Sequence, residues 1–277
     1  LHAKHVINLA KYGKDIMVEK PMALTLDDVD AMIESCDRNN CRLFVIKQNR
    51  FNVPVVKLRE AHQSGRFGKL ILGTVRVRWA RHQAYYDQDL WRGTWAMDGG
   101  VLTNQASHHV DMLEWIMGDV ESVFSYSATA LVDIEAEDTA IVMLKFKNGA
   151  LGVIEATTAT RPKDLEGSIS ILGEYGNVVI GGFSVNRMQS WNFEKKQKDD
   201  DLVLENFSVN PTNVYGFGHQ AYYEHVVDCV SNKGPNLVDG LQGRKSLELI
   251  SAIYESIETR KEVFLRFKPK KCKLGQE

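Results

Sequence analysis

The sequence predicts two unlike parts: the back half of a doubly wound α/β domain, then an α+β domain on a large, mainly antiparallel open sheet. Three observations carry this reading. The first 48 residues alternate helix, strand, helix, strand, and each strand is a short apolar run, the order of a parallel sheet. From Leu70 onward, strand-length segments with two-residue alternation dominate instead. A chain of 277 residues is long enough for about two domains. The boundary falls near residue 48, giving domains 1–48 and 49–277.

The elements follow in order. Residues 1–12 read as the end of a helix stopped by Gly13. Ile16-Met17-Val18 is a strand. Thr25, with an acid three residues on, caps a helix carrying Val29, Met32, Ile33 and Cys36. Arg42 to Ile46 is a second strand. Two short parallel strands cannot form a stable domain alone, so a front half is expected elsewhere. A helix over 53–64 ends at Gly65. In 70–79, Val75, Val77 and Trp79 face one side while Thr74, Arg76 and Arg78 face the other. Further strands are expected at 122–130, 138–147, 150–159, 167–172, 177–180 and 187–193, with Asn148-Gly149 as a hairpin turn. Helices return at 219–231 and 241–259. Glu194 to Asp201 reads as a solvated hairpin tip, and Lys268 to Lys273 as a frayed basic end.

Composition narrows the function classes. Hydrophobic residues are 44% and charged residues 25%, the balance of a globular protein. Net charge is 34 − 36 = −2, which gives no basic footprint for nucleic acid. No apolar run is long enough to span a membrane. Cys36, Cys41, Cys229 and Cys272 form no C-x-x-C pattern, and a reducing cytoplasm is the expected compartment.

The strongest chemical signal is the segment from Asp98 to Asp111 (DGGVLTNQASHHVD). Taken as a helix over 104–117, it places Asn104, His108, Asp111 and Trp115 within an arc of roughly 60°. Ala106, Val110, Leu113 and Met117 form an opposite, core-facing stripe. An imidazole one turn from an amide suits a general base beside an orienting group. A polar surface helix gives the same pattern. A metal site is disfavoured, because the adjacent His108 and His109 point about 100° apart, so no metal is expected.

Glu19-Lys20-Pro21 directly follows the first strand. Ligands of open parallel sheets bind off the carboxyl ends of the strands, so Lys20 points toward a cofactor crevice or simply toward solvent. In Trp91-Arg92-Gly93-Thr94-Trp95, preceded by Tyr85 and Tyr86, aromatic faces flank an arginine, as in a loop that binds an anion and a ring; two core tryptophans are the plainer alternative. Arg50 and Asn52 follow the second strand and join this group. Gly216-x-Gly218-x-x-Ala221 fits a dinucleotide fingerprint but lacks the strand that must precede one.

Together these motifs resemble the glucose-fructose oxidoreductase / inositol dehydrogenase / rhizopine catabolism (Gfo/Idh/MocA) family. Glu19-Lys20-Pro21 looks like its EKP motif. Gly99 to Asp111 is similar to its G-G-x-x-x-D-x-G-x-H-x-x-D helix, with Asn104 in place of Asp and Ala106 in place of Gly. The segments YYDQDLWRGTW, ALVDIEAEDTA and GVIEATTATRPKDLEGSISILGE resemble one branch, the UDP-N-acetyl-2-amino-2-deoxyglucuronate 3-dehydrogenases, where Asn at this position is usual.

The resemblance implies a Rossmann domain, of which residues 1–48 are the C-terminal part. It implies about 80 residues before Leu1 carrying the pyrophosphate cradle. It implies NAD, with NADP not excluded, as cofactor and a sugar nucleotide as substrate. The implied catalytic residues are Lys20, His108 and Asn104. The implied cofactor contacts are Glu19, Lys20, Pro21, Gln48, Trp91 and Arg92. The implied substrate contacts are Lys20, Arg50, Tyr86, Arg92, Thr94, Asn104 and His108, with Arg92 on either the pyrophosphate or the uronate carboxylate. A homo-oligomer, dimer or tetramer, through the open sheet face is also expected. The rivals are a dehydrogenase of a free hexose or inositol, a ligand-binding member without turnover, and a structural interaction module.

Overall fold

The computed structural model describes residues 1–209, 217–232, 234, 236–266 and 269–276. The α/β part holds α1 (His2–Ala10), β1 (Ile16–Val18), α2 (Leu26–Arg38) and β2 (Leu43–Val45). β1 and β2 pair in parallel, Ile16 opposite Leu43 and Val18 opposite Val45. The Thr25 side chain accepts a hydrogen bond from Asp28 N at 3.2 Å, and Asp27 and Asp28 place negative charge on the positive end of the helix. α2 buries Val29, Met32 and Cys36, and α1 packs against it.

A 3-10 turn at Gln48–Phe51 leads into α3 (Val53–Gln63), β3 (Leu70–Arg78), α4 (Gln83–Tyr86) and α5 (Ser107–Met117). The strands β4 (Val120–Ala128), β5 (Thr139–Phe146), β6 (Leu151–Thr157), β7 (Glu166–Gly173), β8 (Gly176–Gly181) and β9 (Arg187–Phe193) follow. Then come α6 (Val203–Asn206), α7 (Gly218–Asn232), α8 (Gly240–Thr259) and β10 (Val263–Phe264). The larger sheet runs β10-β4-β5-β6-β3-β7-β8-β9, and among the described residues only the β3–β6 pairing is parallel.

One face of this sheet is covered. α5 lies on β3 and α8 on β4, so Val75, Val77, Val142 and Ile154 meet Val110, Leu113, Ile250 and Ile253 in a single core. β5 shows the cause in its alternation: Ala140, Val142, Leu144 and Phe146 are buried, while Ile141 and Met143 face out. Among the described residues, no helix packs on the opposite face. No helix among the described residues is long and apolar enough to cross a membrane.

Four expectations change. The helix expected from residue 104 begins at Ser107. The preceding residues form tight turns, because the short side chains of Thr103 and Asn104 bond to Tyr254 and Asp98 rather than lie along a helix. Asn104 therefore lies outside the helix that carries His108. Glu194 to Asp201 is not a hairpin tip: it turns into α6 and pins Asp200 between Arg66, 2.6 Å away, and the Trp191 indole N–H at 2.8 Å. The described part of the basic tail is docked rather than frayed. Leu274 is buried, Gly275 N donates to Trp95 O at 2.9 Å, and Lys273 lies 3.3 Å from Glu258. The strand β10 was not foreseen, being only two residues long. Gly216 and the residues before it from 210 lie outside the described residues; Gly218 opens α7.

Candidate active site

Lys20 and Gln48 emerge just past the carboxyl ends of β1 and β2. α5 brings its first turn, with His108, against them. Lys20 Nζ donates to the Asn104 carbonyl at 2.7 Å. The Asn104 side chain donates to Asp98 Oδ1 at 2.6 Å, and Gly93 N donates to Asp98 Oδ2 at 2.8 Å. One buried carboxylate thus ties the loop after α4 to the turn that holds the lysine. Asn104 was expected to touch substrate or orient His108. In the structure it presents its backbone carbonyl to Lys20 and donates its side-chain N–H to Asp98.

Gln48 orients His108. Its Nε2 donates to His108 Nε2 across 3.1 Å, which makes that imidazole nitrogen an unprotonated acceptor. Burial pushes His108 well below the usual histidine range, and the nearby Lys20 and Lys47 cations push the same way, against Asp111. His108 is therefore neutral at pH 7, the state a base must start from. Burial also lowers the Lys20 ammonium, opposed by the charges of Asp98 and Glu19. A cavity of about 30 Å³, room for a water, is lined by Lys20, Lys47, Ser107 and His108.

Asp111 lies one turn further along α5 and plays a different part. Its carboxylate is gripped in a fork by Arg50, at 2.7 and 2.8 Å, and is bound by Lys47, which also donates to Ser246 at 2.6 Å. Arg50 Nη1 donates to Leu237 O and to Gln242 Oε1. Arg50, expected to reach substrate, is a buried strut joining the β2 exit to α5. Tyr86 is likewise committed: its hydroxyl bonds to Thr158 at 3.0 Å, and burial pushes it up to about 12. The Thr94 hydroxyl donates to Trp91 O.

Arg92 is the remaining cation of the loop. It stacks between Tyr85 and Trp91, at 4.3 and 4.7 Å from the ring centroids, and pairs with Asp89 at 3.0 Å. Glu19 accepts from the Lys20 amide at 3.2 Å, and the Pro21 carbonyl meets His2. His109 turns away from His108 into the core, edge-on to Trp79 at 5.8 Å. Burial drops it to about 3. Sequence reasoning gave no role to Asp98 or Lys47. Lys47 was findable, since it leaves β2 at the strand end that such sheets use for ligands.

Two features of the crevice suit the nicotinamide end of a dinucleotide. The Gln48 Oε1 acceptor is buried without a hydrogen-bond partner. A Cβ on Gly218 would lie 1.9 Å from Gln48 O, so α7 meets the β2 exit at a distance only glycine permits. A free amide acceptor and a lysine ammonium at the ends of parallel strands suit the amide and hydroxyls of such a cofactor.

Comparison with known proteins gives the same answer. Residues 59–265 match the oxidoreductase family C-terminal alpha/beta domain, and residues 1–47 match the NAD-binding Rossmann fold of the same family. The chain belongs to the Gfo/Idh/MocA oxidoreductases. It is an NAD-dependent dehydrogenase. Myo-inositol 2-dehydrogenase of Thermotoga maritima is 31% identical over 95% of this chain and 76% of its own. The WlbA dehydrogenase of Bordetella pertussis, solved with NADH and UDP-GlcNAcA, is 42% identical with a TM-score of 0.88, over 96% of this chain and 76% of its own. WlbA of Chromobacterium violaceum, solved with the same two ligands, is 43% identical with a TM-score of 0.89, over 96% of this chain and 75% of its own.

Proposed function

We propose that this Gfo/Idh/MocA enzyme oxidises a ring hydroxyl, at C3, of a UDP-linked N-acetylated hexuronic acid, in the synthesis of bacterial surface polysaccharide in the cytoplasm. The observation that carries the substrate reading is the likeness to the two WlbA dehydrogenases, at 42% and 43% identity, against 31% for the myo-inositol enzyme. Residues 1–48 serve the cofactor, and residues 49–277 the substrate and assembly.

NAD, when bound, supplies the hydride acceptor. His108, neutral, accepts the hydroxyl proton on Nε2, the nitrogen that the Gln48 amide occupies until the substrate hydroxyl takes its place. The Lys20 ammonium, fixed by the Asn104 carbonyl, donates to the same oxygen and stabilises its developing negative charge. Arg92 offers the loop's cation to an anionic part of the substrate, with its plane held by two rings.

We also propose that the bare sheet face joins copies of the chain. Tyr126 (65% exposed), Ile141 (54%), Met143 (53%) and Leu151 (56%) lie together on β4, β5 and β6. Arg76 and Arg78 pair with Glu155 and Glu166 beside them. A contiguous apolar patch with a charged rim marks an association surface. Light scattering on the Ile141→Lys/Met143→Lys double variant tests this, with a fall to monomer expected and an unchanged mass counting against it.

The substrate test is NADH formation by the full-length enzyme. Turnover of UDP-GlcNAcA with no turnover of free myo-inositol supports the reading; the reverse preference overturns it.

A further inference from the structure

A buried glutamate bonds to the start of the turn whose far end meets Lys20. Residues 100–106 wind as one compact turn, with Asn104 N donating to Gly100 O at 3.0 Å and Ala106 N to Val101 O at 2.8 Å. The amides at its start need acceptors. Both come from Glu137, at the end of the connection between β4 and β5. Its carbonyl accepts from Val101 N at 2.9 Å, and its Oε1 accepts from Leu102 N at 3.0 Å. A third contact arrives from α8. Tyr254 Oη donates to Glu137 Oε1 at 3.0 Å, accepts from Gly100 N at 3.2 Å, and lies 2.9 Å from Thr103 Oγ1.

The fit is close. A Cβ on Gly100 would lie 2.2 Å from the Glu137 carbonyl oxygen and 2.3 Å from its Oε2, so only glycine lets the turn settle on the glutamate. Glu137 and Tyr254 are almost fully buried, and at the far end of the turn the Asn104 carbonyl receives the Lys20 ammonium at 2.7 Å.

We propose that Glu137 and Tyr254 are positioning residues for the reaction: by gripping the start of the 100–106 turn, they fix the Asn104 carbonyl and, through it, the Lys20 ammonium. Neither reaches the crevice. The inference rests on Lys20 serving the chemistry as described above. Burial pushes the Glu137 carboxyl up to about 7, and the neighbouring Asp98 charge adds to this against the bonds from Leu102 N and Tyr254. A buried carboxyl with this cost is kept where its hydrogen bonds are needed.

Two readouts test the proposal. In steady-state kinetics of the full-length enzyme, Glu137→Leu lowers kcat on the order of 10–100-fold, the scale of a small misplacement of a reacting group, with KM for NAD nearly unchanged. Glu137→Gln keeps the acceptor and restores most of the rate. Tyr254→Phe keeps the ring but removes all three contacts of the hydroxyl and lowers kcat at least roughly tenfold, the scale of a single lost hydrogen bond being the lower bound; it also serves as the test where Glu137→Leu fails to fold.

The second readout needs no substrate. Lys20, reductively methylated with carbon-13 and assigned with Lys20→Arg, is titrated by NMR. Loss of its fixed acceptor while still buried shifts its titration down by roughly one pH unit in Tyr254→Phe and Glu137→Leu. A folded Glu137→Leu or Tyr254→Phe with parental kcat, or an unmoved Lys20 titration, overturns the proposal. An enzyme that turns over no UDP-sugar, yet shows the Lys20 shift, overturns the substrate reading alone.

Discussion

Replacing Asp111 with asparagine leaves two cations facing a neutral amide in the protein interior. The side chains of Asp111, Lys47 and Arg50 are 4%, 6% and 4% exposed, so water cannot take over the lost charge. Removing one partner of a buried ion pair costs about 3–5 kcal/mol, because the other charge stays behind. For domains of about 150–250 residues, 1 kcal/mol moves Tm by about 2–4 °C, so Asp111→Asn lowers Tm by roughly 6–20 °C.

The pH dependence has a defined sign. Burial alone pushes the Asp111 carboxyl up, but Arg50 and then Lys47 outweigh it and hold it at about 2, below the ordinary 3.8. A depressed carboxyl contributes stability that is present above its unfolded pKa and lost as pH falls through its folded one. Here that is about 2 kcal/mol, lost between about pH 4 and pH 2. Thermal and urea unfolding of parent and variant at pH 7 and at about pH 2 measure it. A Tm within about 1 °C of the parent at pH 7 would show that the Lys47–Asp111–Arg50 cluster is not what locks the β2 exit to α5.

Three further outcomes follow from the site and the sheet. His108→Ala lowers kcat by about 10²–10⁴ with a smaller change in KM, and stopped-flow NADH formation checks it; near-parental turnover removes the base assignment. Lys20→Met lowers kcat and kcat/KM together if its ammonium meets charge formed only in the transition state, whereas an effect confined to KM refutes that role. Amide exchange is faster at Ile16 to Val18, in a three-residue pairing, than at Leu144 to Ile154, which span the β5–β6 hairpin at the sheet centre; equal protection contradicts this ranking.

Local signals were legible in the sequence because their causes are local. The Thr25 cap, the Asn148-Gly149 turn with Gly149 at φ +86°, and the alternation of β3 and β5 all stand where residue chemistry placed them. The pairing of Lys20 and His108 was legible only through strand-end position and family resemblance. What escaped notice depends on partners far along the chain. Asp111 shares the helix face of His108, yet its role is set by Lys47 and Arg50, some 60 positions earlier. Asn104 acts through its carbonyl, which no side-chain pattern reveals. The tail looked frayed because its lysines are conspicuous, while the single Leu274 that anchors it is not.

The most direct test of the account follows the transferred atom. UDP-GlcNAcA carrying deuterium at C3 is incubated with the full-length enzyme and NAD, and the reduced cofactor is analysed by mass spectrometry and NMR. The account predicts one deuterium on the nicotinamide ring, a 3-keto product, and both forming about 10²–10⁴-fold more slowly in His108→Ala. Unlabelled NADH, or a ketone at another carbon, would contradict it.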